Sequence, residues 1–221
     1  MIAAPVYALA YATAAAIFWW MARRRGMANS DTLRVMFAGL IGGLACANLV
    51  QLFATGLPGK TIEGGIIGGW IAVEFAKRRF GITRSTGDLF ALAIPAGEAI
   101  GRIACFLGGC CYGKVATGLA WAVQEHGALR HPTQLYLSFG AALCFGLLLL
   151  AERRKLLPEN SLFAVSGMLF CIDRFVIEFF REGATTLGPM TLAQLGCCLG
   201  FAVFATLFMR AAARSRTAFA R

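Results

Sequence analysis

Residues 133–151 read TQLYLSFGAALCFGLLLLA, nineteen positions without a charge. At about 1.5 Å of rise per residue, a helix of that length reaches roughly 28 Å, close to the thickness of a bilayer's hydrocarbon core. Comparable runs recur at about 2–22, 32–53, 62–77, 86–106, 161–180 and 188–210. Composition agrees. Of 221 residues, 58% are hydrophobic and only 14% charged, where a soluble domain carries about 25% charged residues. Mean hydropathy is +0.68. So few charges cannot cover a water-facing surface. The same composition excludes a disordered chain, a collagen-like repeat and a secreted disulfide scaffold. The sequence predicts an all-α, polytopic membrane protein of about seven transmembrane helices, built as one domain over residues 1–221. The first run has no basic stretch ahead of it and no small-residue cleavage site before Arg23, so it reads as a retained helix.

Charge sets the expected orientation. The net charge is +10, from 21 Lys and Arg against 11 Asp and Glu. Fourteen of the basic residues fall after runs one, three, five and seven, beginning with Arg23, Lys77, Arg153 and Arg210. Loops rich in Lys and Arg face the cytoplasm, so the amino terminus is expected outside and the carboxyl terminus in the cytoplasm. Scattered between apolar runs, this charge suits an anionic membrane leaflet and not a nucleic acid. Lys60, Arg102, Lys114, Arg130, Arg174 and Arg181 fall on the other side. The longest outer connection, about 107–132, holds both histidines, His126 and His131. Polar chemistry is therefore expected on the outer face.

Three segments carry residues suited to chemistry. In the first, Gly101 to Gly113, Arg102 at a helix end is followed by a glycine-rich turn. Arginine's planar fork of donors matches phosphate, and glycines let backbone N–H groups approach the same anion. The alternative is an arginine snorkelling to the lipid interface. In the second, His131-Pro132-Thr133-Gln134-Leu135-Tyr136, a histidine sits at the water boundary of a helix start, able to exchange a proton near neutral pH. It also reads as a loop histidine without a role. In the third, Arg174, Glu178 and Arg181 share one helical face. They form an internal ion-pair staple, an anion site, or both, since one glutamate cannot neutralise two arginines. Gly64 and Gly65 beside Glu63 read either as close helix packing or as space for a ligand.

The ordered set of these motifs resembles the prolipoprotein diacylglyceryl transferases. The likeness spans about residues 35–205 and includes the Gly64-Gly65 pair and Gln194. It implies a seven-helix protein of the bacterial inner membrane. Such a protein moves the diacylglyceryl group of phosphatidylglycerol onto the cysteine thiol of a lipoprotein precursor, releasing glycerol phosphate. Arg102 and Arg174 match the family's two essential arginines, and Gly113 matches the glycine closing its motif. The chain departs from the family pattern at Glu63, where a histidine proposed as a base is usual. It also has Cys105 and Cys110 in place of an asparagine and a glutamate, and Leu137 in place of a glutamate.

The resulting expectation is a phospholipid transferase without cofactor or metal, active at the outer face. Catalytic roles fall to Arg102, Arg174, Glu63 and His131. Substrate contacts fall to Lys60, Gly64, Gly65, Gly101, Gly113, Gln134, Tyr136, Glu178 and Arg181. The partners are a phosphatidylglycerol-like lipid, a lipoprotein-precursor peptide and membrane lipids, with no nucleic acid. One alternative is a thiol redox or metal-binding membrane protein using Cys105, Cys110 and Cys111, although their spacing fits no common zinc pattern. Another is a noncatalytic lipid-binding homologue.

Overall fold

A computed structural model describes residues 2–56, 61–183 and 186–219; the side chains at 54, 55, 63 and 216–219 also lie outside the description. Among the described residues there are seven helices: α1 (Ala3–Arg24), α2 (Ser30–Thr55), α3 (Ile62–Arg79), α4 (Gly87–Leu107), α5 (Thr133–Arg153), α6 (Leu162–Glu178) and α7 (Leu192–Phe219). Five are long and apolar enough to cross a membrane: α1, α2, α4, α5 and α7. The expected count of seven spans is met by that measure only in part. In α3, Glu63, Glu74 and a basic last turn dilute the apolar stretch. α6 is 17 residues long and carries Asp173, Arg174 and Glu178. Large apolar side chains lie open on the helices' outer faces, with Phe53 86% and Phe139 72% exposed. In water this would drive aggregation; it is the surface of a multi-pass membrane protein.

The all-α architecture carries two small antiparallel hairpins in its connections, which the sequence reading did not include. β1 (Val123–Glu125) pairs with β2 (Ala128–Arg130), with Val123 opposite Arg130. Their turn, His126-Gly127, has positive φ at both residues (49° and 78°), as a two-residue hairpin turn requires. β3 (Thr186–Leu187) pairs with β4 (Met190–Thr191). The second hairpin takes residues assigned above to the start of the last helix, so α7 begins at Leu192.

Two units pack within themselves: Phe18–Thr86, and Met1–Ile17 with Gly87–Arg221. In the first, α2 and α3 run antiparallel with glycines meeting glycines. A Cβ at Gly68 would overlap Cys46, and one at Gly43 would lie 3.1 Å from the Gly65 carbonyl oxygen. Asn29 caps α2 by accepting from the Thr32 N–H at 2.9 Å, and Thr61 caps α3 by accepting from Gly64 at 3.2 Å.

In the second unit, α4 is the central element. Pro95 inside it has no N–H to offer the Ala91 carbonyl one turn back. Ser166 of α6 supplies the missing donor, its hydroxyl reaching that carbonyl at 2.9 Å. Asp88 of α4 accepts from the Phe163 N–H at 3.0 Å and so caps α6 from a neighbouring helix. α1 lies along the small-residue face of α4, where Gly97 meets Ala14 and Gly101 meets Ala10. These contacts fix α4 and α6, the helices that carry the arginines.

Candidate active site

Arg102 and Glu98 are one turn apart on α4. Burial makes an unpaired guanidinium costly, and Glu98 answers it: Arg102 donates Nε and Nη2 to the same carboxylate oxygen at 3.1 and 2.9 Å. Both side chains are under 10% exposed, so Arg102 does not snorkel. Glu98 also lines a mostly apolar cleft with Pro95, Ala141, Cys144, Phe170 and Asp173, between α4, α5 and α6. Asp173 interacts electrostatically with Glu98, Arg102 and Arg174, which ties the two arginine-bearing helices to one locus.

On α6, Arg174 pairs with Glu178. Glu178 is shared: Thr191 donates its hydroxyl to the other carboxylate oxygen at 3.2 Å, and Arg181 Nε stands 3.7 Å away. One buried carboxylate therefore faces two guanidiniums, and the Nε of Arg174 has no hydrogen-bond partner among the described residues. A buried donor left without a partner is uncommon and marks a place where a ligand can bind. Thr191 and Gln194 form a reciprocal capping box at the start of α7. The Thr191 N–H donates to Gln194 Oε1 at 2.9 Å, and the Gln194 N–H donates to Thr191 Oγ1 at 3.1 Å. That places the Thr191 hydroxyl beside Glu178.

The connection from α4 to α5 joins these helices at one end. Gly109, with φ +64°, ends α4, and its carbonyl accepts from His126 Nε2 at 2.7 Å. Gly113 sits where three segments cross. It bridges Arg181, its N–H donates to the His131 carbonyl at 3.1 Å, and the Lys114 N–H donates to Phe180 at 2.8 Å. A Cβ on Gly113 would overlap the His131 carbonyl and lie 2.8 Å from that of Phe180. Only glycine fits. Arg130 locks the crossing, donating to the Glu125 and Gly113 carbonyls at 3.1 and 3.2 Å and to Glu182 at 3.4 Å.

The second motif is recruited into the same scaffold. Gln134, fully buried, donates to the Cys110 carbonyl at 2.8 Å and to Glu125 at 3.2 Å. Thr133 donates its hydroxyl to the Cys111 carbonyl at 2.8 Å. Tyr136 accepts from Trp121 Nε1 at 2.8 Å and stands 3.3 Å from His131 Nδ1. The His131 ring packs against Phe180, with centroids 5.1 Å apart. Cys105, Cys110 and Cys111 bring their sulfurs within 4.8 Å of one another. The thiols of Cys105 and Cys110 and the nearby guanidiniums of Arg181 and Arg102 pull Cys111 down to about 2. Cys110, hydrogen-bonded to both neighbouring thiols, is pushed far above the ordinary thiol range.

Several expected site residues are thus brought together: Arg102, Gly113, His131, Gln134, Tyr136, Arg174, Glu178 and Arg181. Gly101 instead packs on α1, its hypothetical Cβ 3.9 Å from Ala10. Gly64 packs against Cys46 and Val50, and Gly65 against Ala47. Lys60 and the Glu63 side chain lie outside the described residues; the Glu63 backbone is in the first turn of α3, where the helix dipole favours a carboxylate. Sequence reasoning missed Glu98, whose i, i+4 spacing to Arg102 was visible, and Arg130, counted only as an outer charge. It also missed Thr191, the first residue of a T-x-x-Q capping box.

A family model described as prolipoprotein diacylglyceryl transferase matches residues 1–210. The chain belongs to the prolipoprotein diacylglyceryl transferase family. Among its relatives is the phosphatidylglycerol–prolipoprotein diacylglyceryl transferase of Clostridioides difficile, 31% identical over 194 residues, covering 81% of this chain and 77% of that one. The protein of the same name from Geobacter sulfurreducens is 30% identical over 224 residues, covering 90% and 85%. That of Campylobacter curvus is 35% identical over 134 residues, covering 60% of this chain and 49% of its own length. The family match reaches from α1 into α7 and includes every residue of the crossing at Gly113.

Proposed function

We propose that this chain is a membrane transferase that moves the diacylglyceryl group of phosphatidylglycerol to the cysteine thiol of a lipoprotein precursor. The observation that carries the reading is the buried arginine pair. Arg102 and Arg174 are both buried and both act electrostatically on Asp173, Glu178 is shared between two guanidiniums, and Arg174 keeps an Nε donor without a partner among the described residues. Family membership and the names of the relatives support the same chemistry.

In this reading Arg174 and Arg181 hold the phosphate, and Arg102, oriented by Glu98, stabilises the charge that grows on the leaving oxygen. The acceptor thiolate attacks the adjacent glyceryl carbon. The carbon–oxygen bond to phosphate breaks, and glycerol phosphate leaves with the electron pair. Glu63 or His131 takes the thiol proton. Gln134 and Tyr136 shape the outer loop.

The same proposal places the protein in the bacterial inner membrane as one domain, amino terminus and active face outside, carboxyl terminus cytoplasmic. The basic ends of α1, α3 and α5 support that orientation. A reporter fused after Arg221 is expected to work only in a cytoplasmic form. Transfer is tested with the purified protein in nanodiscs, labelled phosphatidylglycerol and a precursor peptide bearing cysteine or serine. Label should move to the cysteine peptide alone, with glycerol phosphate in equal amount. Release of glycerol phosphate without thioether formation would refute the reading.

A further inference from the structure

Three thiols stand together where the proposed transfer assigns none of them a task. Cys105 lies in the last turns of α4, and Cys110 and Cys111 lie in the reversal that follows; all three sulfurs fall within 4.8 Å. Three sulfurs bound to one zinc ion at about 2.3 Å are themselves about 3.8–4.0 Å apart. Closing around an ion therefore needs a movement of about 1 Å or less.

The backbone is built to keep this arrangement. Cys111 adopts φ +62°, a left-handed conformation rare for a residue with a side chain. The Cys110 N–H donates to the Cys105 carbonyl at 3.2 Å. Gln134 and Thr133 each hold a carbonyl of the pair at 2.8 Å. Strained backbone secured by independent hydrogen bonds is a sign of a site that is held for use.

We propose that Cys105, Cys110 and Cys111 bind a zinc ion with one coordination position open, and that this position takes the acceptor's thiol. The second half rests on the transferase reading above. All-sulfur ligands select zinc or copper(I) over magnesium or calcium, and zinc suits a three-plus-one tetrahedral site that undergoes no redox change. Cys110 is exposed, so the open side can be reached from water. The Tyr7 hydroxyl, 3.1 Å from the Cys105 sulfur, can donate to a bound thiolate. Three thiolates with Zn²⁺ carry one net negative charge, and Arg102 and Arg181 both act on Cys111 to offset it.

The chemistry balances without an oxidant or reductant. The acceptor thiol loses its proton to the base of the proposed transfer, Glu63 or His131, as it joins the zinc. Its sulfur electron pair forms the bond to the glyceryl carbon, and the carbon–oxygen bond breaks with its pair leaving on phosphate. The thioether produced is neutral, binds zinc weakly and departs.

The test uses the full chain, purified under a non-thiol reductant in nanodiscs. Zinc content and cobalt(II) titration are measured first, without any activity assay. One zinc per chain is expected, with a thiolate-to-cobalt charge-transfer band and tetrahedral cobalt bands. The exposed-site variant Cys110→Ala and the variant Cys111→Ser should each weaken metal binding at least about tenfold. Thermal unfolding without metal checks that both fold. Absence of the charge-transfer band, unchanged zinc retention in both variants, or a disulfide among the three cysteines of protein purified without reductant overturns the metal site. Next, a precursor peptide with cysteine, but not with serine, should raise the charge-transfer intensity by about a third, as a fourth thiolate joins three. No rise overturns the acceptor role. Failure of the transferase reading has a different signature: the cysteine peptide joins the metal, yet no lipid is transferred.

Discussion

Replacing Arg174 by lysine separates charge from geometry at the most telling donor of the site. Arg174 is 6% exposed, one of its terminal nitrogens is committed to Glu178, and its Nε is free of any described partner. Lysine keeps the charge, but its single nitrogen cannot occupy both the Glu178 contact and the separate position of Nε. The loss is one hydrogen bond to a charged group, worth about 1.5–3 kcal/mol. At about 1.36 kcal/mol per decade, kcat/KM should fall roughly 10- to 150-fold. Stability should change little, because the pair with Glu178 survives. Arg174→Gln is the contrasting variant. It removes the main counter-charge of a buried carboxylate, a loss of about 3–5 kcal/mol in general. The low end, about 3 kcal/mol, is expected here because Arg181 and Thr191 still face Glu178. The assay is transfer of labelled lipid in nanodiscs, with thermal unfolding of the same samples. Turnover by Arg174→Lys within threefold of the parent would refute the phosphate role of Nε. So would a loss of stability in the lysine variant as large as in the glutamine one.

Three further outcomes follow from contacts elsewhere. Gly113→Ala forces a Cβ into the His131 and Phe180 carbonyls, and should destabilise by about 1–3 kcal/mol with turnover falling in parallel, read from thermal unfolding and lipid transfer. Ser166→Ala leaves the Ala91 carbonyl beside Pro95 without its donor; a loss of about 1–3 kcal/mol is expected, while Ser166→Thr should restore most of it. Thr191→Ala removes a helix cap and a hydrogen bond to Glu178. A stability loss of about 1–2 kcal/mol should accompany a smaller fall in kcat/KM than Arg174→Lys gives.

The helices were readable because apolar runs of membrane length leave few alternatives. Arg174 and Glu178 were readable because i, i+4 spacing fixes a face of α6; Arg181, expected on the same helical face, lies beyond the end of α6 in the bridge to Gly113 and meets Glu178 from there. Gly64 and Gly65 were ambiguous for a physical reason: a missing side chain serves close helix packing and ligand access equally well, and the neighbours decide. At both, α2 packs against the glycine. The hairpin of β1 and β2 was not legible, since three-residue strands carry no periodicity; only His126-Gly127 hinted at a turn. The three cysteines could be grouped from the sequence, but the close approach of their sulfurs could not. A gap of five residues between Cys105 and Cys110 becomes a contact only because Gly109 reverses the chain and Gln134, from another helix, pins the reversal.

The arrangement around Pro95 bears on how the chain is made. α4 emerges from synthesis with a carbonyl at Ala91 that its own helix cannot serve and with an acid at Asp88. The groups that answer them, the Ser166 hydroxyl and the Phe163 N–H, arrive 75 residues later in the chain. Hydrocarbon offers no substitute donor in the interval. α4 therefore enters the bilayer in a provisional state and depends on protein or water at the insertion machinery until α6 follows. The crossing at Gly113 closes later still, because Gly113 and Lys114 need Phe180 and Arg181. A chain halted before α6 would hold Arg102 without the partners that build the site, so activity switches on only as synthesis nears its end.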